Sequence, residues 1–225
     1  MSKLVQCALI ALTLLGGPFS IASAQTAAKS GTAHEVVKEA TESVMSLVRA
    51  APEYVDEDPE RYYAQVQAIL DPVIDFRGFA RGVMGPYASS ERYRSLDEAG
   101  REQLRGQLDR FTEVIRAGLV KTYSKGLLAF GGSRIELSDS ADELPDDRRI
   151  TVTQLIYSDN AQPYVVMYQM GMDKDRTWKL RNMIIESVNL GEIFKNQFEA
   201  SARKYDGNLD LVIDNWTTAE LETTS

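Results

Sequence analysis

The first part of the chain places apolar residues at the spacing of an amphipathic helix. Thr32 and Glu35 stand at the two ends of a capping box, in which each side chain satisfies a free backbone amide at the helix start. The apolar residues that follow step by three or four and predict the buried face of that helix; they are Val36, Val37, Ala40, Val44, Leu47 and Val48.

Two aspartate–proline pairs divide the next segment. Asp58-Pro59 predicts a helix start, because aspartate caps the N-terminus and proline at the first helical position lacks an N–H that would be unpaired there anyway. Asp71-Pro72 interrupts this helix, and residues 73–84 predict a short third helix. The apolar faces of the two helices are Tyr62, Tyr63, Val66, Ile69 and Leu70 in the second, and Phe76, Phe79, Val83 and Met84 in the third.

The longest helix is predicted over residues 96–124, from a second capping box at Ser95 and Glu98. Glycines at 100, 106 and 118 each lower its propensity by about 1 kcal/mol, so packing must hold it and we expect it to be central. Its apolar stripe is Leu104, Leu108, Phe111, Ile115 and Leu119.

The periodicity then changes to two, which is typical of strands with one buried face. Strands are predicted at 134–137, 151–157, 164–172 and 177–188, with an acidic loop at 139–147. Short turns between them predict an antiparallel meander. A helix over 190–204 follows directly, and then a short helix over 209–216.

Helices first and strands last predict an α+β protein, with helices packed on a twisted antiparallel sheet of about four strands. Such a sheet can curl around the helices into a cone-like domain of the nuclear-transport-factor type, with an apolar cavity. Periodicity is the same whether the core is filled by its own side chains or by a guest, so the pattern leaves both interpretations open.

The N-terminus carries the pattern of a cleaved secretory leader over residues 1–24. Lys3 is followed by an apolar stretch at 4–15 and by the small residues of 22–24, and the stretch is too short to cross a bilayer. Cys7 lacks the small residues of a lipoprotein cleavage site before it. We therefore expect an exported protein with a stub at 25–31, a single domain at 32–216 and a polar tail at 217–225.

Composition narrows the function classes. The only cysteine lies in the predicted leader, so no internal disulfide is expected in the mature chain of about 200 residues. Loss of Lys3 changes the formal net charge from -8 to -9. An acidic chain with no basic stripe argues against nucleic acid and against lasting adsorption to an anionic membrane.

Metal chemistry finds little support in the sequence. His34 is the only histidine and lies at a helix start, where a surface or capping role is expected, so a zinc site would depend on carboxylates. The acidic loop 139–147 and the run 206–210 lack the spacing and glycine of an EF-hand. No metal and no cofactor is predicted.

Catalytic motifs are likewise missing from the sequence, which has no nucleophile elbow, phosphate-binding glycine loop or second histidine. Asp75 and Glu186 are flanked by apolar residues, so either could act as a base of raised pKa in a cavity. A non-metal isomerase or hydrolase of cone-like fold therefore stays an alternative.

Tyrosine and methionine are concentrated on the predicted buried faces. Methionine adapts to irregular surfaces and tyrosine offers an apolar ring with one polar tip, which suits the wall of a lipid pocket as well as an ordinary core. These residues are Tyr62, Tyr63, Tyr87, Tyr123, Tyr157, Tyr164 and Tyr168, with Met84, Met167, Met170, Met172 and Met183.

Several segments in the same order resemble the MlaC or toluene-tolerance (Ttg2) family of phospholipid carriers. The resemblance spans roughly residues 34–216, and order and spacing carry it rather than any one motif. The segments are Asp58-Pro59 with Tyr62-Tyr63, Val83-Met84-Gly85 before Tyr87, residues 119–123, Trp178-Lys179-Leu180 with the strand after it, and Phe194 with Phe198. Many members have glycine where this chain has Ser187, and many are basic.

The resemblance implies a periplasmic protein without catalysis, whose bound ligand is phospholipid and whose role is to maintain outer-membrane lipid asymmetry. Its implied partners are an outer-membrane lipoprotein–porin complex and an inner-membrane ABC transporter complex with a periplasmic substrate-binding ring. A carrier of another apolar molecule and an envelope scaffold with a filled core remain alternatives.

We predict a pocket between the long helix and the sheet, with head groups near solvent and the segment from Asp71-Pro72 to Gly85-Pro86 as its gate. Each buried methylene contributes about 0.8 kcal/mol, so two tails of about 16 carbons gain roughly 25 kcal/mol before entropy costs. The predicted lining residues are Tyr62, Val66, Val83, Met84, Tyr87, Phe111, Ile115, Leu119, Val152, Val166, Tyr168, Met170, Met183 and Ile185.

Overall fold

Five helices precede a five-stranded sheet and two helices follow it in the described part of the chain. The computed structural model describes residues 31–128, 133–138, 148–157 and 162–217, so the predicted leader, acidic loop and tail after 217 lie outside it. The helices are α1 Ala33–Ala50, α2 Pro59–Leu70, α3 Phe76–Met84, α4 Ser90–Ser95, α5 Glu98–Leu127, α6 Leu190–Lys204 and α7 Leu209–Asp214. The strands are β1 Arg134–Leu137, β2 Arg149–Tyr157, β3 Tyr164–Met172, β4 Trp178–Ile185 and β5 Val188–Asn189.

The predicted helix starts are confirmed at α1 and α2. Both hydrogen bonds of the Thr32–Glu35 capping box are present, and Asp58 caps α2 by accepting from the N–H of Arg61 at 3.1 Å. The predicted start of α5 was wrong. Ser95 ends the separate helix α4, and Asp97 caps α5 instead, because Leu96 between them is extended.

The sheet is an antiparallel meander in the order β1-β2-β3-β4-β5, as the short turns predicted. The register between β3 and β4 shifts after Gln169, which pairs with Asn182, whereas Met170 pairs with Leu180. Arg181 is therefore the extra residue of a β-bulge, a feature that bends a strand and redirects its side chains.

The single strand predicted over 177–188 was wrong. The chain turns back at Glu186 and Ser187, so Val188 pairs with Ile185 in a fifth, two-residue strand. Glu186 has φ of 57°, and it is held there because its backbone N–H donates to the Val165 carbonyl at 2.7 Å while its carboxylate accepts from the Val165 N–H at 2.6 Å.

Helices cover one face of the sheet, and their buried side chains form separate clusters. The largest joins α3, α5, α6 and α7, where the Phe111 ring meets those of Phe198 and Trp216 at centroid distances of 4.9 and 5.0 Å. A second cluster lies between α1, α2 and α5, and a third between the start of α1 and the sheet. Side chains do not completely fill the interior between these clusters.

The connection between α2 and α3 extends the sheet. Ile74 pairs in parallel with Leu180, since the Leu180 N–H donates to the Val73 carbonyl at 2.8 Å and the Asp75 N–H donates to the Leu180 carbonyl at 3.0 Å. The third helix, predicted over 73–84, therefore begins only at Phe76, because these backbone groups are already paired with β4.

Candidate functional site

An apolar chamber of about 210 Å³ lies between α1, the α2–α3 connection, the end of α5 and the helix-covered face of the sheet. We call it the inner chamber. Its walls come from the buried faces that the helical and strand periodicities predict, but from elements far apart in the sequence. They are Val37, Ala40, Thr41, Val44, Met45, Leu70, Val73, Ile74, Tyr123, Leu127, Ile135, Gln154, Ile156, Tyr168, Met170, Leu180 and Met183.

A second apolar space of about 100 Å³, the side chamber, continues from the inner chamber toward α3 and the start of α6. Its further walls include Phe76, Phe79 and Leu190. The two spaces have five wall residues in common, so they are neighbours across one layer of side chains: Leu70, Ile74, Tyr123, Leu180 and Met183.

The inner chamber adjoins an open groove of about 440 Å³ between α1 and β1, which we call the outer groove. Both are lined by Thr41, Met45 and Ile135, which therefore mark the mouth of the chamber. The other groove residues are mostly polar or charged: His34, Lys38, Glu42, Arg49, Ser133 and Leu137. His34, for which a surface or capping role was predicted, lines this groove, and its Nε2 lies 2.6 Å from the Ser138 carbonyl oxygen.

A chain of hydrogen bonds crosses the wall of the inner chamber. The Tyr168 hydroxyl donates to Gln154 Oε1 at 2.7 Å, and Gln154 Nε2 donates to Thr41 Oγ1 at 2.9 Å. Gln154 is only 2 % exposed, so both partners are needed to satisfy its amide. Burial raises the pKa of Tyr168, which keeps its hydroxyl protonated as a donor.

Tyr123 presents a second polar group to the interior. It lines both chambers, and its buried hydroxyl has no hydrogen-bond partner among the described residues. Burial raises the pKa of Tyr123 to about 12, since the phenolate would lose its hydration there. The hydroxyl is thus an unpaired donor between two apolar spaces.

The structure brings four of the fourteen predicted lining residues to the chambers. Tyr168 and Met170 line the inner chamber, Leu119 the side chamber, and Met183 both. Along α5, the residues that line the chambers lie closer to the C-terminus than predicted, because only the last turns of this helix reach these spaces. Phe111 and Ile115 instead pack against α3, α6 and α7.

The other predicted lining residues lie in the packed clusters or in the sheet, and their contact with a ligand stays a prediction. Tyr62 and Val66 pack between α1, α2 and α5. Val152 belongs to the cluster under the start of α1, and Val166 is buried on β3. Those in the largest cluster, besides Phe111 and Ile115, are Val83, Met84, Tyr87 and Ile185.

The sequence reasoning missed the contribution of α1. Its periodic stripe was recognised, but not that Val37, Ala40 and Val44 face an unfilled space. A usable signal was the small size of these side chains compared with the leucines and phenylalanines of α5, since short side chains leave room beside the sheet. Gln154 was also missed. Its neighbours on the buried face of β2 are apolar, and a single amide on such a face is a signal of a polar group placed for binding.

The two carboxylates considered as bases are held in structural contacts. Asp75 caps α3 by accepting from the Gly78 N–H at 2.9 Å and forms an ion pair with Arg181. Glu186 is exposed and bonds to Val165. Among the described residues, no group of three or more His, Cys, Asp or Glu side chains could hold a metal ion.

The described chain is thus an α+β protein in which helices cover one face of an antiparallel sheet and enclose an apolar chamber. Comparison with known families narrows the class, since a family model described as MlaC protein matches residues 38–218. The match covers more than half of the chain, and the chain belongs to the MlaC family.

One known protein is similar to this chain in sequence, and one solved structure is similar in fold. The toluene tolerance protein ttg2D of Pseudomonas putida is 26 % identical over 185 residues, which is 82 % of this chain and 80 % of that protein. The phospholipid-binding protein from Ralstonia solanacearum, solved in complex with a phospholipid, has the same fold with a TM-score of 0.67 at 18 % identity, over 82 % of this chain and 94 % of that one. Across the described ranges, no helix is both long and apolar enough to cross a membrane.

Proposed function

We propose that this protein is a periplasmic phospholipid carrier, which holds the acyl tails of a diacyl lipid in the inner and side chambers. The observation that carries the proposal is the apolar inner chamber, whose polar wall groups are few and mostly paired with one another. Membership of the MlaC family and the fold shared with a phospholipid-binding protein support the same ligand class.

The chambers must widen to take a whole lipid. Ligand pockets typically measure about 300–1,000 Å³, and the inner and side chambers, at about 210 and 100 Å³, each fall below that range and together only reach its lower end. Leu70, Ile74 and Tyr123 stand between them, and outward movement of the α2–α3 connection would join the two spaces. Moving the tails from the chambers into water would cost roughly 25 kcal/mol before entropy costs, so spontaneous release is very slow. A bilayer offers the tails nearly the same apolar environment as the chambers, so transfer between the two has little net free energy. The carrier therefore depends on partners to open it.

The partners proposed are those implied by the family. The carrier takes or delivers lipid at an outer-membrane lipoprotein–porin complex and at an inner-membrane ABC transporter complex with its periplasmic substrate-binding ring. This exchange would maintain the lipid asymmetry of the outer membrane. The predicted leader of residues 1–24 supports export to the periplasm.

Organic extraction of the purified protein followed by mass spectrometry tests the ligand directly. We expect diacyl phospholipid with intact tails. A different apolar guest would support a carrier of another molecule, and consistently empty extracts and bare protein by native mass spectrometry would contradict the lipid carrier.

A variant with a filled chamber tests where the tails lie, and the same substitution on the protein surface is its control. Ala40→Trp places an indole in the inner chamber, whereas Ala64→Trp makes the same change on the exposed face of α2. We expect Ala40→Trp to stay folded and to lose most bound lipid, because it occupies the space of a tail, while Ala64→Trp keeps its lipid. Equal lipid content in the two variants would place the tails elsewhere.

A further inference from the structure

The mouth of the inner chamber carries hydrogen-bond donors that the protein does not use. Gln154 has two N–H groups on Nε2 and donates one of them to Thr41. The Thr41 hydroxyl accepts that bond, and its own O–H has no acceptor among the described residues. Since Thr41 lines both the chamber and the outer groove, these donors lie where an apolar interior meets solvent.

Two cations flank the same opening. Lys38 precedes Thr41 by three residues and Arg49 follows Met45 by four, so each stands about one helical turn beyond the mouth on the exposed face of α1. Neither forms an ion pair within the described part of the chain. Among the described residues that line the groove, Glu42 is the one carboxylate beside Lys38 and Arg49, so their formal charges leave one net positive charge there, in a chain of net charge -8.

From this arrangement we infer that the mouth is a subsite for the phosphoglycerol part of the lipid. Thr41 and Gln154 donate to an ester carbonyl oxygen, and Lys38 and Arg49 attract the phosphate, while the tails continue into the apolar chamber. Donors and cations without acceptors suit a group that carries only oxygen acceptors and negative charge. The inference rests on the proposed function and adds that the carrier recognises an ester lipid with an anionic head group.

Charge reversal tests the recognition of an anionic head group, since phosphatidylcholine carries the same phosphate beside a compensating cation. Vesicles that contain equal phosphatidylglycerol and phosphatidylcholine are mixed with delipidated protein, and the lipids retained are counted by mass spectrometry. We expect the wild-type protein to prefer phosphatidylglycerol, and Lys38→Glu/Arg49→Glu to lower that preference by about fivefold. The control Lys174→Glu/Lys121→Glu changes the net charge equally at exposed positions outside the groove and should keep the wild-type ratio.

Ester recognition is tested by Thr41→Val, which keeps the shape and removes the hydroxyl. Retention of diacyl phosphatidylglycerol is compared with that of its dialkyl ether analogue, which lacks the carbonyls. We expect a wild-type preference for the ester lipid that falls by about threefold or more in Thr41→Val. Thr41→Val also removes the acceptor of Gln154 Nε2. That loss is common to the complexes with both lipids, so a change in the ester-to-ether ratio reports the contact with the carbonyl.

The outcomes separate the subsite from the carrier function. Lipid retained with unchanged head-group and ester ratios in the variants would overturn the subsite alone, and a wild-type protein that retains no lipid would overturn both. Glycerol 3-phosphate supplies the same phosphate without tails. If Lys38→Glu/Arg49→Glu abolishes binding of glycerol 3-phosphate but leaves the head-group ratio of the retained lipids unchanged, the groove belongs to a soluble phosphate and the lipid assignment is overturned.

Discussion

Asp75 and Arg181 form an ion pair that joins the first turn of α3 to the bulge of β4. The bulge directs the Arg181 side chain across β3, where a Cβ on Gly171 would lie 2.9 Å from Arg181 Cγ. A Cβ on Gly78 would overlap the Asp75 carboxylate. Both glycines are therefore required for this contact, which fastens the α2–α3 connection to the sheet beside the two chambers.

Removal of the Asp75 carboxylate should loosen this connection. We expect Asp75→Ala to lower the free energy of unfolding by about 1–2 kcal/mol, since it loses the helix cap and the ion pair. Asp75→Asn keeps an oxygen that can cap α3 and should cost about half as much. Urea unfolding measures both, and equal losses would show that the cap contributes nothing beyond the charge.

The same connection is the first part of the predicted gate, which runs from Asp71-Pro72 to Gly85-Pro86, and a disulfide can fasten it to the sheet. Ile74 and Leu180 are paired neighbours, and the described chain has no cysteine to interfere. We expect oxidised Ile74→Cys/Leu180→Cys to exchange lipid with vesicles at least tenfold more slowly than the reduced form, because the wall between the chambers cannot separate. The single-cysteine variants control for the lost side chains, and exchange at the same rate in both redox states would place the gate elsewhere.

Two buried tyrosines should respond differently to loss of their hydroxyls. Tyr168→Phe leaves Gln154 Oε1 buried without its donor, and we expect a loss of about 1–3 kcal/mol in stability. Tyr123→Phe removes a hydroxyl that has no partner, so the delipidated protein should be unchanged or more stable by up to about 1 kcal/mol. Thermal unfolding of the delipidated variants checks this, and equal destabilisation would contradict the unpaired state of Tyr123.

Stability should fall steeply at alkaline pH. Burial raises the pKa of Tyr123 to about 12, and burial with the neighbouring Tyr54 and Tyr63 raises that of Tyr62 to about 12. A pKa above the unfolded value of about 10 favours the neutral form in the fold, so the stabilisation is complete below pH 10 and is lost as pH rises from about 10 to 12.

Urea unfolding between pH 8 and pH 12, values chosen as roughly two units either side of the ordinary tyrosine pKa, measures this loss. The slope should be shallower in Tyr123→Phe, which has one shifted group fewer. An identical slope in the variant would mean that Tyr123 ionises as readily in the folded protein as in the unfolded one.

Much of the fold could be predicted because its signals are local. The Thr32–Glu35 box, the Asp58-Pro59 start and the turn at 173–176 between β3 and β4 depend on residues within a few positions of one another, and all three are present in the described chain. The errors arose where two local signals competed. Ser95 and Asp97 both offer a cap for α5, and Asp97 serves because α4 uses the residues before it.

The chamber could be predicted only in part, because periodicity identifies a buried face but not what lies opposite. Tyr168, Met170 and Met183 follow from the strand alternation. The break at Glu186 and the bulge at Arg181 depend on pairing with β3, which no local pattern records.

The sequence by itself determined the α+β order, the caps of α1 and α2, the acidic net charge and the family, since each depends on residue types and their spacing. The tertiary structure alone decided that the short side chains of α1 face the sheet across an unfilled space. It also decided that Thr41 and Gln154, 113 positions apart, meet at the mouth of that space. A hydrogen bond between residues so far apart in the sequence forms only after packing has brought α1 onto β2. For that reason the candidate site is a property of the folded chain.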